Sequence, residues 1–429
     1  GRVRITEGDS VTITGRKLEY DGNRKLAKLR GNVVFTKLST ATLYTDYLDY
    51  ARPTNIAYYF NGGKLIDSAN VLTSRKGYYN VNNNLASFKK NVKVVNPDYT
   101  MYSDSLQYNS RSKLIYFVAK TKVVNKDSST FVYERGVYNT ATKVSDLKEG
   151  TADSEQYTLV GDRYDLDAMR NVAKVRGNIV MTHKKEKIII YGQASDYYKN
   201  SGLTKIYDRA YVAKITDNDD TLFMRADTLV SVDNQDPKKR KLLAYHNVRI
   251  YKKDLQGIAD SLEYRSADST IFFYNNPILW SQGNQLTADS IRMLIKNNTI
   301  NKIYLIANAF VISTDTLLNF NQIKGRRMTA DIANSRISRV YVEGNGESIY
   351  FALDDKTKLM MGMNKIICSN IMIRFREGRV SNLSFYVNPE ANFIPPHELK
   401  EEDLTLKGFE WKEKEKPGRP DVVPPPTSH

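Results

Sequence analysis

The chain has 429 residues, of which 41% are hydrophobic and 26% charged, with a formal net charge of +16, one cysteine and four histidines. This is the composition of a folded chain rather than a disordered one. A single cysteine excludes an internal disulfide and any multi-cysteine metal site. The longest nearly apolar run, Ile303 to Ile312, has about half the length of a membrane-spanning helix.

From the N-terminus, Leu18 and Tyr20 alternate with Lys17 and Glu19, and Asp21-Gly22-Asn23 supplies a turn. A second strand follows at Lys25 to Arg30, then Gly31-Asn32 as a corner, then Val33-Val34-Phe35. Strict alternation predicts strands with one face buried and one wet. The first half of this unit returns as Thr45-Asp46-Tyr47-Leu48-Asp49-Tyr50, Ser103-Asp104-Ser105-Leu106-Gln107-Tyr108, Ala226-Asp227-Thr228-Leu229, Ala259-Asp260-Ser261-Leu262-Glu263-Tyr264 and Ala288-Asp289-Ser290-Ile291-Arg292-Met293. Its second half returns as Asn91-Val92-Lys93-Val94, Gly177-Asn178-Ile179-Val180-Met181, His246-Asn247-Val248-Arg249-Ile250 and Asn275-Asn276-Pro277-Ile278-Leu279-Trp280. With the central apolar residue as marker, the series is Leu18, Leu48, Tyr78, Leu106, Val137, Tyr164, Tyr198, Leu229, Leu262 and Ile291, in steps of 27 to 34 residues. Such a period is the signature of a repeat architecture, and each unit reads as two strands, or three where the corner breaks one. Later markers are Met328 and Ile371.

The reading is therefore all-β. Residues 1–390 form one repeat array, with a possible division into two consecutive segments near 150–160. Residues 391–429 form a charged and Pro-rich tail expected to have little structure of its own beyond a short helix near Glu398–Leu404. The tail from His397 onward is net −2, so residues 1–396 carry +18, a balance that suits an anionic partner or a merely soluble surface.

The chemistry inventory is sparse. His183, His246, His397 and His429 are far apart with no ligand spacing, and Asp217 to Asp220 lacks the glycine and distal glutamate of a calcium loop, so it reads as a solvated turn. Gly62-Gly63-Lys64 has Leu65 where a phosphate loop needs Ser or Thr, and Gly344-Asn345-Gly346 reads as a turn. Cys368 reads as a small buried residue. The repeated aspartates Asp46, Asp104, Asp227, Asp260 and Asp289 are either corner braces or the carboxylates of a glycan-cleaving β-solenoid. Regular recurrence favours the brace, since catalysis needs one special pair and not a ladder. No cofactor, metal or catalytic residue is expected, and the chain reads as no enzyme.

What remains is the apolar stripe, which is either a closed core or the lining of a groove between two sheets.

The alternation of Ala-Asp-x-Leu-x-Tyr with Gly-Asn-Val-x-apolar resembles the repeat of the OstA-like (LptA) family of lipopolysaccharide-transport proteins, clearly over residues 10 to 320 and weakly to about 390. The resemblance implies an elongated antiparallel β-jellyroll whose two sheets form a V around an apolar groove for lipid A acyl chains. It implies a periplasmic place, with the leader already removed, and a bridging role between an inner-membrane transporter and an outer-membrane translocon by edge-to-edge strand addition, including end-to-end self-association. On that reading the groove residues are Leu18, Tyr20, Val33, Phe35, Leu48, Tyr50, Val92, Val94, Leu106, Tyr108, Ile179, Met181, Leu229, Leu262, Tyr264, Ile278, Trp280, Ile291 and Met293. Arg16, Lys76 and Arg135 stand where the pattern has Asp, and the Pro-rich tail has no counterpart in it. A glycan-binding or glycan-cleaving solenoid is the alternative. Nucleic acid is not expected, because no aromatic-basic RNA motif accompanies the charge.

Overall fold

The computed structural model describes residues 2–425 apart from 8–10, 38–40, 68–69, 186, 216–219, 297–298, 334–335, 355 and 377–378. The turn expected at Asp217 to Asp220 falls, through residue 219, outside the described residues, as does His429. The described residues are nearly all in antiparallel strands, and the helical pieces are single turns confined to Pro237–Lys239 and to the stretch after Pro395. Two compact units divide the chain: residues 1–187 with 194–199, and residues 188–193 with 200–429.

In the first unit long strands bend sharply and contribute one half to each of two sheets. The strand Leu26–Lys37 pairs through Lys28 and Leu29 with Lys17–Asp21, and through Phe35 with Val11–Gly15. The bend falls at Gly31 and Asn32, both with positive φ (73° and 47°), and the register against the neighbouring strand shifts between Arg30 and Val33. The same device recurs at Lys90-Asn91 and Gly177-Asn178. Consecutive left-handed residues turn the chain through a bulge, and Gly and Asn tolerate that conformation best. These are the corners read from the sequence.

Residues directly opposite one another share a face, so the inner face can be followed strand to strand. In the first sheet it runs Leu18, Leu29, Leu48 on one side, and Tyr59, Gly77, Phe88, Leu106, Phe117, Gly136, Leu147, Tyr164, Val175 on the other. Two markers read from the sequence are therefore displaced by one residue: Gly77 and Gly136 occupy the row, and Tyr78 points outward, 42% exposed. At Gly136 the Leu147 side chain takes the space; at Gly77 it is Tyr59, whose ring fills the missing side-chain space. A Cβ on Gly77 would lie 2.3 Å from it, and one on Gly63 of the second sheet 2.5 Å. In the second sheet the inner row is Phe35, Leu43, Leu65, Leu72, Val94, Met101, Val123, Phe131. The two rows pack into a single buried cluster.

The second unit repeats the scheme, with corners at His246-Asn247, Asn275-Asn276, Ala307-Asn308 and Gly344-Asn345. Its central row is Ile206, Leu229, Ala244, Leu262, Phe273, Ile291, Leu305, Met328, Val342, Ile371, buried throughout. Met328 and Ile371, the late markers, stand in it.

The tail has almost no regular structure, yet it is packed. Residues 399–425 run as a strap over the outward face of the second unit's second sheet. Leu406 and Val422 are 4% and 0% exposed. Leu399, Leu404, Leu406, Phe409 and Trp411 form a separate hydrophobic cluster with Phe310, Ile312, Ile349, Phe351 and Met363. Two buried glutamines clamp the strap backbone. Gln322 donates from Nε2 to Leu404 O (2.8 Å) and accepts at Oε1 from Leu406 N (2.8 Å). Gln285 does the same to Glu410 O and Lys412 N, both at 2.7 Å. Further on, Arg419 lies over Phe223, and Arg209 donates to Pro425 O at 2.6 Å.

Candidate functional site

Beside the central row of the first unit's first sheet lies a second inward row: Tyr20, Ala27, Tyr50, Ala57, Tyr79, Ala86, Tyr108, Ile115, Tyr138. A tyrosine on every other strand alternates with a smaller residue, mostly alanine. This row lies toward the free margin, opposite the corners, where the two sheets are not joined by continuous strands. The small residues leave a cavity of about 40 Å³ lined by Phe35, Leu43, Ala57, Tyr59, Tyr79 and Phe88 among others. That is room for about one water and not for an acyl chain.

Polar side chains bridge the margin. Tyr108 of the first sheet donates a short hydrogen bond to the Asp67 carboxylate of the second, and Lys113 Nζ lies 3.3 Å from the same carboxylate. Lys37 reaches from the second sheet to Val81 O (2.9 Å) and Asn84 Oδ1 (2.6 Å) in a first-sheet turn, with its ammonium 5.4 Å from the Tyr79 ring centroid. Lys143 meets Asp98 at 3.4 Å, and Tyr99 meets Tyr138 edge to face. Deeper in, Tyr59 Oη and Ser74 Oγ are 2.6 Å apart, and burial pushes the Tyr59 phenol up to about 12. Burial, then the Asp67 carboxylate, raises the Tyr108 phenol further, so it stays a protonated donor. The sheets thus meet along this margin through a few polar contacts over a small apolar cavity.

The residues expected to line a groove divide. Val33, Phe35, Leu48, Tyr50, Val92, Val94, Leu106, Tyr108 and Ile179 are buried in the first unit's cluster, and Leu18 packs against it. Met181 is half-buried on the same face, opposite Leu159. Tyr20 belongs to the tyrosine row but is 55% exposed. Leu229, Leu262 and Ile291 stand in the second unit's central row, with Met293 and half-buried Tyr264 in the row beside it. Ile278 and Trp280 need correction: they share the outward face, under the strap, and Leu279 points inward. The left-handed residues are Asn275 and Asn276, so Pro277 and Leu279 take the places of Val92 and Val94. A one-residue slip flips a strand's faces. What sequence reasoning missed is the bridge set, Asp67, Lys113 and Lys37, because each lies 40 or more residues from its partner.

Four of the five repeated aspartates brace the corners. Asp46 accepts from Asn32 N (3.1 Å), Asp227 from Asn247 Nδ2 (2.7 Å), Asp260 from Asn275 Nδ2 (3.1 Å) and Asp289 from Asn308 Nδ2 (3.0 Å). Asp260 is held below the ordinary carboxylate range by Ser261 and then by His246 and Asn275. Among the described residues no group of three or more His, Cys, Asp or Glu is placed to hold a metal, and no helix is long and apolar enough to cross a membrane.

The family described as OstA-like protein matches residues 1–104. The matched segment carries Lys37, Asp67, Tyr79 and the lining of the small cavity up to Phe88, while Tyr108 and Lys113 lie just beyond it. No curated protein matches the chain. Among solved structures, LptH, the LptA-homologous periplasmic component of the conserved lipopolysaccharide transport device from Pseudomonas aeruginosa, is 15% identical. It covers 35% of this chain and 83% of its own, with a TM-score of 0.19. The WD40 domain of SCAP from fission yeast is 9% identical over 81% of this chain and 92% of its own, with a TM-score of 0.11. At those scores neither superposition bears on the fold.

Proposed function

We propose that this protein is a periplasmic lipid carrier that takes acyl chains between the two sheets of its first unit, with lipopolysaccharide as cargo. It catalyses no reaction in this account. Transfer to an inner-membrane transporter and an outer-membrane translocon would proceed by strand addition at sheet ends. The observation that carries the reading is the free margin of the first unit, whose residues 1–104 match the OstA-like family. An inward row of tyrosines and alanines sits over a small apolar cavity there, closed by polar side chains and not by continuous backbone.

Magnitudes favour opening. The hydrogen bond to Asp67 is worth about 1.5–3 kcal/mol, and each partly exposed ion pair at most about 1 kcal/mol. One acyl chain of about 12–14 methylenes gains on the order of 10 kcal/mol gross, at ~0.8 per methylene. The chain replaces the inter-sheet contacts that it parts, so the polar bridges are the main barrier. Photo-crosslinkers placed at Leu43 and Phe88 of the full chain, in cells or with added lipopolysaccharide, should capture the glycolipid, and one at outward-facing Tyr44 should not. Equal labelling at all three positions, or none, defeats the proposal.

A further inference from the structure

The chain has two tryptophans, Trp280 and Trp411, and both line one cavity of about 120 Å³ in the second unit. It lies between the strap and the outward face of the second sheet, and Gln256, Asn284, Thr314, Glu413 and Lys416 complete much of its lining. Its character is the opposite of the first unit's cavity: amides, a hydroxyl, a carboxylate and an ammonium surround two indoles.

Trp280 is 2% exposed, and its indole N–H has no hydrogen-bond partner. Buried donors of this kind are rare, and each calls for an acceptor. The site is also built firmly. Trp411 rests against Phe320 with ring centroids 5.3 Å apart, and the strap residues on either side of it, Glu410 and Lys412, are the two clamped by Gln285. Gln256 is fixed through Nε2 to Lys252 O at 2.5 Å. Glu413 and Lys416 pair at 3.1 Å, which sets an acceptor and a donor side by side at the rim.

This set of groups selects against the obvious small ligands. A hydrocarbon would strand the amides and the ion pair, an inorganic anion would meet Glu413, and a metal cation would meet Lys416. A ring with an apolar C–H face and several hydroxyls satisfies them all: the half-buried Trp411 indole takes the C–H face, the Trp280 N–H donates to one hydroxyl, and Glu413 accepts from another. We propose that the Trp280–Trp411 cavity binds a pyranose. A space equal to about four waters admits the sugar ring in part, with its remaining hydroxyls left in solvent. The sugar would be a free saccharide or the headgroup of a glycolipid. The proposal does not rest on acyl chains entering the first unit, and failure of either leaves the other standing.

Because the chain has no other tryptophan, indole fluorescence of the full-length protein reads the site directly. Methyl glucoside, glucosamine and a detergent-dispersed glycolipid are the probes, with detergent alone as control. The expected result is a saturable change at millimolar sugar, at least about tenfold weaker in Trp280→Phe, which keeps an aromatic ring and loses only the unpaired N–H. Glu413→Gln, at an exposed position, should weaken binding without moving the unfolding transition. Displacement of the glycolipid by free sugar identifies a headgroup as a source; binding of free sugar alone identifies a free saccharide. No saturable change with any probe up to about 100 mM, or an unchanged response in both variants, means that the cavity holds only water and overturns the proposal.

Discussion

The second sheet of each unit turns one face outward, and the two outward faces differ. In the first unit the row is Tyr44, Lys64, Thr73, Lys93, Tyr102, Lys122, with both tyrosines 44% exposed and the lysines in solvent. In the second unit the row is Gln256, Trp280, Gln285, Ile312, Gln322, Ile349, all buried. The same corners and the same alternation build both sheets. Hydrophobic patterning on one face makes the first a two-layer sandwich. Apolar residues on both faces of the second require a third layer, and the strap provides it. The tail is therefore part of the second unit's core.

The largest effect should come from ending the chain after Ile394. Exposing Phe310, Ile312, Ile349, Phe351 and Met363 leaves an apolar patch that soluble folds rarely tolerate. Fluorescence of Trp280 should report a lost or strongly lowered unfolding transition, while hydrogen exchange in residues 11–175 stays as in the full chain. Loss of protection in both regions would break the comparison. Next, Gln322→Leu removes the partner of two strap backbone groups and should cost about 1–3 kcal/mol, against less than about 0.5 kcal/mol for Lys93→Ala on the first unit's outward face. Denaturant midpoints measure both, and equal shifts would mean that the clamp does not hold the strap.

A smaller, pH-dependent effect belongs to Glu263. It is bound by Arg265 (2.9 Å), Lys241 (3.1 Å) and the Tyr274 hydroxyl (3.1 Å), and Arg265 chiefly lowers its carboxyl from 4.5 to about 2. A depressed acid contributes stability that is full above its unfolded value and lost as pH falls through the folded one. The contribution should therefore disappear between about pH 4.5 and 2. Thermal melts of Glu263→Gln should show a shallower acid limb than the parent, and parallel limbs would remove Glu263 from the account.

Periodicity made the repeat, the corners and the bracing aspartates legible in the sequence, because each depends on residues close in the chain. Three features were hidden for physical reasons. The displacement of Tyr78 by Gly77 depends on the Tyr59 ring, which lies a strand away. The outward turn of Trp280 depends on which two residues take the left-handed conformation, and Asn275-Asn276-Pro277 does not announce that. The strap reads as a solvated tail because its few apolar residues, Leu406, Phe409, Trp411 and Val422, are spaced irregularly. They match a sheet face and not a period of their own.

In the proposed function, the free margin of the first unit must part for cargo to enter. Asp67→Cys with Tyr108→Cys, joined by a bismaleimide whose spacer carries a disulfide, places a cleavable staple across that margin, because a direct disulfide is too short for residues that meet through a whole tyrosine side chain. The one native cysteine, Cys368, is buried in the other unit. Binding of radiolabelled lipopolysaccharide by the full chain should be lost in the cross-linked form and return when the spacer is reduced. Undiminished binding by the fully cross-linked protein would contradict the account.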